Sequence, residues 1–292
     1  MIFVHSTPVL TGLATFLSVP WSTAASAIPF AEHAQVSLGG SSDPSLELPQ
    51  TSHPISSVGD VDILTRPSWF TSTLVARRLL ALSTSGVIST VFPNPLPPSD
   101  HAPASVAGLP VGLREYIADC DGVLPTELSH GDNGDPTVLA LRVGSTFRNI
   151  AAGSNLSLQL DWWDHLSDAG PVYPGLPPSL AALPRVTLFG YLDTLPSPLP
   201  GDAAAALEKC FVEAHPDSKV WLPGAPGSPH ASFWARLVVT QAYWIGGFGD
   251  VQQIGWFNVT EWKGIRRHGS VAGVGDGRGW EDVRLPGEKE EQ

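Results

Sequence analysis

Hydroxyl and cationic side chains that suit an anionic ligand lie together in the segment GSTFRNIAAG, residues 144–153. Ser145, Thr146 and Arg148 open a short helix that we predict over residues 145–152. Backbone N–H groups at a helix start, a hydroxyl and a guanidinium together suit a phosphate dianion. The alternative is that Ser145 or Thr146 only caps the helix and that Arg148 is solvated. The segment is therefore a candidate phosphate site, with a purely structural role left open.

Motifs of the common metal and nucleophile sites do not occur in the sequence. Neither H-E-x-x-H nor C-x-x-C is present and the nine histidines are scattered, so we expect no zinc site. No G-x-S-x-G marks a hydrolase nucleophile. Asp161, Asp164 and Asp168 beside two tryptophans could act on a sugar, but a strand end followed by a solvated loop explains them more simply. No catalytic residue is predicted.

Charge and hydropathy narrow the classes of partner. The formal net charge is −12, which argues against nucleic acid, because its binding depends on cations that neutralise phosphates. After the amino-terminal region no apolar stretch reaches the roughly 18 residues of a membrane helix, so we expect no membrane span.

The amino terminus predicts secretion. Residues 1–27 carry no Lys, Arg, Asp or Glu, and an apolar run over residues 9–19 precedes Ala25-Ser26-Ala27. This pattern is typical of a signal peptide cleaved after Ala27, so the mature chain is expected to begin at Ile28. A membrane anchor is the alternative, but the run is too short to span a bilayer. The expected location is extracellular, or the lumen of an endolysosome or vacuole.

Secretion would expose two asparagines to N-glycosylation and two cysteines to disulfide formation. The glycosylation sequons are Asn155-Leu-Ser157 and Asn258-Val-Thr260, and we expect at least one to be occupied. The only cysteines are Cys120 and Cys210. An even count in an oxidising compartment favours one disulfide, whereas two separate buried thiols are the alternative.

The periodicity predicts one α+β domain made mostly of strands. Residues 28–66 form a flexible lead-in, residues 67–263 the domain, and residues 264–292 a disordered tail. Apolar spacing and breakers predict the helices and strands. Helices are predicted over residues 68–83, 145–152 and 201–214. Strands are predicted over 86–92, 111–118, 137–143, 155–163 and 185–195, followed by two long tryptophan-bearing strands around the turn at 246–250. A closed barrel suits this set because closure removes sheet edges.

The carboxyl-terminal half resembles CREG-type secreted glycoproteins, a branch of the FMN-binding split-barrel superfamily that also holds the pyridoxamine 5'-phosphate oxidases. The resemblance rests on His215-Pro216 before Trp221, on Phe233-Trp234, and on Tyr-Trp-Ile-Gly-Gly-Phe-Gly-Asp at residues 243–250. It extends over residues 67–262 and is looser before Thr137. Where the family often shows Trp-Gly, this chain has Ser85-Gly86.

The resemblance implies a split β-barrel, a homodimer, and a flavin site at the dimer seam. Carried over residue by residue, Ser145, Thr146 and Arg148 would hold the FMN phosphate. CREG-like proteins often have a degraded or blocked flavin pocket. The expected function is therefore a non-enzymatic glycoprotein that acts through contacts with an unidentified protein partner. An FMN-dependent oxidoreductase is the alternative, and a haem-handling split barrel is a third hypothesis for which the sequence names no ligand.

Overall fold

A computed structural model describes residues 65–129 and 131–289. The predicted signal peptide, its cleavage site and the lead-in up to residue 64 lie outside the described residues. The helices are α1 (Trp69–Leu82), α2 (Ser145–Ala151), α3 (Ala203–Ala214) and α4 (Val259–Gly264). The strands are β1 (Ser85–Val91), β2 (Pro110–Ala118), β3 (Thr137–Leu141), β4 (Leu156–Asp161), β5 (Arg185–Thr194), β6 (Ser232–Ile245) and β7 (Ile254–Trp256).

Six antiparallel strands close into a barrel in the order β3-β2-β1-β4-β5-β6, and β3 pairs with β6 to complete the ring. β7 adds one short strand beyond β6. Closure depends on the length of β6, whose 14 residues pair first with β3 and then with β5. The predicted split-barrel fold, α+β and mostly β, is confirmed.

Alternation along the strands separates the barrel interior from its outer surface. Leu156, Leu158 and Leu160 of β4 are buried, and the residues between them are more accessible. This is the period-2 pattern that the sequence predicts. Helix α1 covers one side of the barrel through its buried Leu79 and Leu80, which belong to the same core cluster.

A bulge in β6 requires the glycine at position 190. Pairing shifts between Phe189 and Gly190, so that Thr240 is left without a partner in the register. A Cβ atom at Gly190 would lie 1.9 Å from the carbonyl oxygen of Val238. Only glycine therefore lets β5 and β6 approach closely here, as is usual where two backbones meet at a bulge.

A second cluster of buried apolar residues lies between α3 and the barrel; it includes Cys120, and the partly buried Cys210 packs against it. Cys120 and Cys210 form a disulfide with their Cα atoms 6.0 Å apart, across a sequence separation of 90 residues. Phe211, the neighbour of Cys210, is fully buried and packs edge-on against Trp234. The bond therefore joins α3 to the end of β2, and it satisfies the distance condition for the predicted pairing.

Two expectations for local structure are wrong. The second tryptophan-bearing strand has only three residues, because residues 246–253 form a loop closed by a hydrogen bond from Gly246 N–H to the carbonyl of Gln253. Within that loop Gly247 has a φ of +141°, whereas Gly249 does not adopt a positive φ. Helix α2 is preceded by Gly144 rather than capped by Ser145 or Thr146, and no side chain caps it.

The segment after α4 is not a disordered tail over residues 265–289. Ile265, Val274 and Val283 are buried together with Phe70 and Leu74 of α1. Arg78 of α1 forms an ion pair with Glu288. The apolar residues are too sparse and irregular to form a helical or strand period, so their packing against α1 left no periodic signal in the sequence.

Candidate functional site

A small cleft opens where β2, β3 and the 3₁₀ turn Pro216–Trp221 meet. Its volume is about 210 Å³. The lining residues are Arg114, Glu115, Tyr116, Leu139, Leu141 and Trp221. The lining combines apolar side chains with a few charged or hydrogen-bonding groups, which is the usual character of a ligand pocket.

Thr146 of the predicted phosphate segment reaches Glu115, which lines this cleft. The Thr146 hydroxyl is fully buried and donates a hydrogen bond to Oε1 of Glu115 over 2.6 Å. Burial raises the pKa of Glu115, and the hydrogen bond from Thr146 partly opposes this rise. The hydroxyl thus serves a carboxylate of the same chain.

Arg148 likewise has a carboxylate partner. Its Nη2 lies 2.6 Å from Oδ2 of Asp100, in the loop between β1 and β2. The backbone N–H of Ala102 donates to the same carboxyl group over 2.9 Å. That N–H and the Arg148 guanidinium lower the pKa of Asp100. The ion pair holds the loop against α2.

The residues present do not fit an FMN phosphate. Thr146 and Arg148 already serve Glu115 and Asp100, so a dianion at this place would face two carboxylates. Ser145 is partly exposed, and helix α2 has only seven residues. The structure therefore brings the three predicted residues onto one short helix but surrounds them with acidic partners, which repel an anion.

The cleft also has an aromatic wall that sequence reasoning missed as a site. The ring of Tyr116 stacks on His215 with centroids 4.3 Å apart, and its hydroxyl donates to Oδ2 of Asp217 over 2.7 Å. This hydrogen bond is the main cause that raises the pKa of Tyr116. His215 is buried and hydrogen-bonds the carbonyl of Ile117 through Nε2 over 2.9 Å. In the sequence, His215-Pro216 was a motif of the family resemblance, and nothing local to it indicated that His215 would stack on Tyr116.

The most strongly perturbed carboxyl group lies outside the cleft. Asp119 is half-buried with its Oδ1 shielded from solvent, and this desolvation raises its pKa to about 6 against the opposing charge of Arg77. Arg77 is fully buried and donates through Nη1 to the carbonyls of Trp262 and Ile265, each over 2.8 Å. These contacts join α1 to the segment at the end of α4, so the cluster holds the two parts of the chain together.

The two sequons lie at the surface. Asn155 is exposed immediately before β4. Asn258 is exposed and caps α4, accepting a hydrogen bond from Thr260 N–H over 2.9 Å. Both asparagine side chains are therefore accessible to a modifying enzyme.

Two further findings concern the described part of the chain. Over residues 65–129 and 131–289, no group of three or more His, Cys, Asp or Glu side chains is arranged to hold a metal ion. None of the helices described there is both long and apolar enough to cross a membrane.

The closed six-stranded barrel with its flanking helices defines a protein of the split-barrel class. Within that class the chain belongs to the family described as CREG, beta-barrel, which it matches over residues 69–263, more than half of its 292 residues. Among proteins with curated functions, none matches the chain.

Solved structures with a similar fold include a heme binding protein from Mycobacterium smegmatis, with 18% identity and a TM-score of 0.41 over 67% of this chain. Atu2129 from Agrobacterium tumefaciens, of unknown function, has 20% identity and a TM-score of 0.40 over 61% of this chain. HutZ, the heme storage protein from Vibrio cholerae, has 12% identity and a TM-score of 0.34 over 60% of this chain and 95% of its own. The chain spans 60% and 58% of the length of the first two.

Proposed function

We propose that this protein is a secreted, non-enzymatic CREG-type glycoprotein that acts through protein contacts and has a degenerate flavin pocket. The observation that carries the proposal is the pairing of Thr146 with Glu115 and of Arg148 with Asp100. These pairs occupy the groups that would hold a phosphate and add two acidic side chains beside them. The net charge of −12 also disfavours an anionic ligand.

The test is a titration of purified protein with FMN, followed by absorbance near 450 nm. We expect no uptake by wild type. The double variant Asp100→Asn, Glu115→Gln removes both negative charges while keeping side-chain shape, and it should gain measurable FMN affinity. Stoichiometric binding of FMN to wild type would overturn the proposal and favour the oxidoreductase. A parallel haem titration, followed near 400 nm, tests the third hypothesis in the same way.

Secretion and glycosylation form a separate part of the proposal. The uncharged apolar amino terminus supports cleavage after Ala27, and the exposed Asn155 and Asn258 support modification. Expression in a eukaryotic secretory host should give medium protein that begins at Ile28 and carries a glycan on at least one asparagine. Amino-terminal sequencing and peptide mass spectrometry read the two outcomes, and a secreted product that still begins at Met1 contradicts the signal peptide.

We further propose that the protein pairs with a second copy, which is the protein contact open to direct test. Exposed apolar side chains in and just before β2 support this, since Leu109 and Leu113 remain 51% and 37% exposed. Leu113→Asp should shift a dimer to a monomer in sedimentation analysis. A wild type that sediments as a monomer at high micromolar concentration contradicts pairing.

A further inference from the structure

The outer surface of β5, β6 and β7 carries a patch of aromatic rings that the cleft does not explain. Trp256 lies 5.6 Å from Phe189 and 5.1 Å from Tyr243, measured between ring centroids. Trp256 is 56% exposed, and Tyr191 on the same strand as Phe189 is 57% exposed. Contiguous exposed rings of this kind mark a surface that contacts something, whereas single scattered ones do not. We call Phe189, Tyr191, Tyr243 and Trp256 the aromatic face.

Strand register shows that polar but uncharged residues complete this surface. One row across β4, β5, β6 and β7 consists of Gln159, Thr187, Tyr243 and Trp256, each paired with the next. In the next row Ser157 is opposite Phe189, which is opposite Gln241. None of these side chains carries a charge, although the whole chain is strongly acidic. A neutral ligand with both apolar and hydroxyl surfaces matches this composition.

The register also brings a sequon beside the aromatic face. Leu156, the first residue of β4, pairs with Gly190 of β5, so Asn155 and Tyr191 each come one residue beyond this pair, and both are exposed. Tyr191 and Phe189 are two residues apart on one face of β5, which separates them by about 7 Å. A chain of two or three sugars that begins at Asn155 can therefore lie over Tyr191 and reach Phe189 and Trp256.

We infer that the N-linked glycan attached to Asn155 packs on the aromatic face. The inference rests on the proposed glycosylation. The CH-bearing face of a sugar ring is apolar and packs on an aromatic ring, whose negative face attracts the sugar's CH groups. The sugar hydroxyls meet Gln, Ser and Thr side chains at the edges. Neutral core sugars thus complement a neutral patch, and covalent attachment keeps them beside it.

Thermal unfolding of glycoprotein from a secretory host tests this with a double-mutant cycle. Asn155→Gln should lower Tm by about 2–4 °C in the wild-type background, the scale of one surface contact in a domain of this size. In the Tyr191→Ala background the same substitution should lower Tm by much less. Trp163→Ala is the matched control: it removes an exposed ring that follows the other end of β4 from Asn155, and it should leave the full effect of Asn155→Gln.

Three outcomes would overturn the inference. Equal Tm losses from Asn155→Gln in all three backgrounds would show that the glycan does not contact Tyr191. Dissociation of a glycosylated oligomer by Tyr191→Ala would show that a second copy covers the face. Mass spectra that show no glycan on Asn155 would mean that the proposed ligand of the aromatic face does not exist. The proposed non-enzymatic role fails by a different measurement, the FMN titration, so the two failures are distinguishable.

Discussion

The Thr146 hydroxyl donates a hydrogen bond to Oε1 of Glu115 over 2.6 Å, and this contact joins helix α2 to strand β2. A hydroxyl that the sequence offers to a ligand is therefore used by a partly buried carboxylate of the same chain. The neighbouring Arg148 is paired with Asp100 in the same way. The segment that resembles a flavin-phosphate site therefore has a structural role here: it joins α2 to β2 and to the loop between β1 and β2.

The Thr146–Glu115 contact leads to opposite effects for two substitutions of Glu115. Burial raises the pKa of Glu115, so the folded state binds a proton more readily than the unfolded state, and ionisation destabilises the fold as pH rises. Glu115→Gln keeps an acceptor for Thr146 without the charge, and it should raise the free energy of unfolding at pH 7. Glu115→Ala leaves a buried hydroxyl unpaired and should cost about 1–3 kcal/mol. Urea unfolding at pH 7 measures both, and equal destabilisation by the two variants contradicts this account.

The disulfide closes a loop of 90 residues, so its loss should be costly. On the chain-entropy account, a loop of this length stabilises the folded state by roughly 4–5 kcal/mol, because the bond restricts the unfolded chain. We expect Cys120→Ser, Cys210→Ser to lower the free energy of unfolding by an amount approaching this. Denaturant unfolding of the double variant measures it, with reduced wild type as the control. A loss below about 1 kcal/mol would show that the bond contributes little.

Asp119 should make stability fall as pH rises through the mildly acidic range. Its pKa is about 6 in the folded protein against an ordinary value of 3.8, so between these two values the folded state holds a proton that the unfolded state has released. The free energy of unfolding therefore falls by about 3 kcal/mol in total between pH 3 and pH 7, of which about 2 kcal/mol falls between pH 4 and pH 6. Asp119→Asn should remove this slope and raise stability at pH 7.

Unfolding measured at several pH values separates Asp119 from other acids. Asp164→Asn changes an exposed carboxylate and should keep the wild-type slope between pH 4 and pH 6. If Asp119→Asn kept the slope as well, another group would be responsible for it.

Gly247 and Gly249 should differ in how they tolerate a side chain. Gly247 has a φ of +141°, and a Cβ atom there would lie 2.6 Å from the carbonyl oxygen of Ala182. Gly247→Ala is expected to cost about 1–3 kcal/mol, because the strained backbone and the close carbonyl act together. Gly249 lacks the positive φ, and its Cβ would meet only the flexible end of Ile254 at 3.2 Å. Gly249→Ala is thus the matched control, and thermal unfolding should give Gly247→Ala a clearly lower Tm than Gly249→Ala.

The sequence by itself determined the elements of the barrel and the family. Helix α1, helix α3 and strands β1 to β5 lie within a few residues of their predicted bounds, because an apolar run or period and a nearby breaker mark most of them. The short motifs at His215-Pro216, Phe233-Trp234 and residues 243–250 together indicated the family that the chain matches over residues 69–263. Local periodicity and short motifs are properties of neighbouring residues, so a sequence displays them directly.

Tertiary structure alone decided which distant groups meet. Asp100 and Glu115 reach Arg148 and Thr146 from 48 and 31 residues away, and no local pattern reports such a pairing. The same holds for the packing of residues 265–289 against α1, where scattered apolar residues find a surface built by another part of the chain. Asn155 comes close to Tyr191 only because β4 and β5 pair in one register, in which the next residue, Leu156, is opposite Gly190. These contacts depend on barrel closure, which is a property of the whole chain, and they are what distinguish a ligand site from a structural joint.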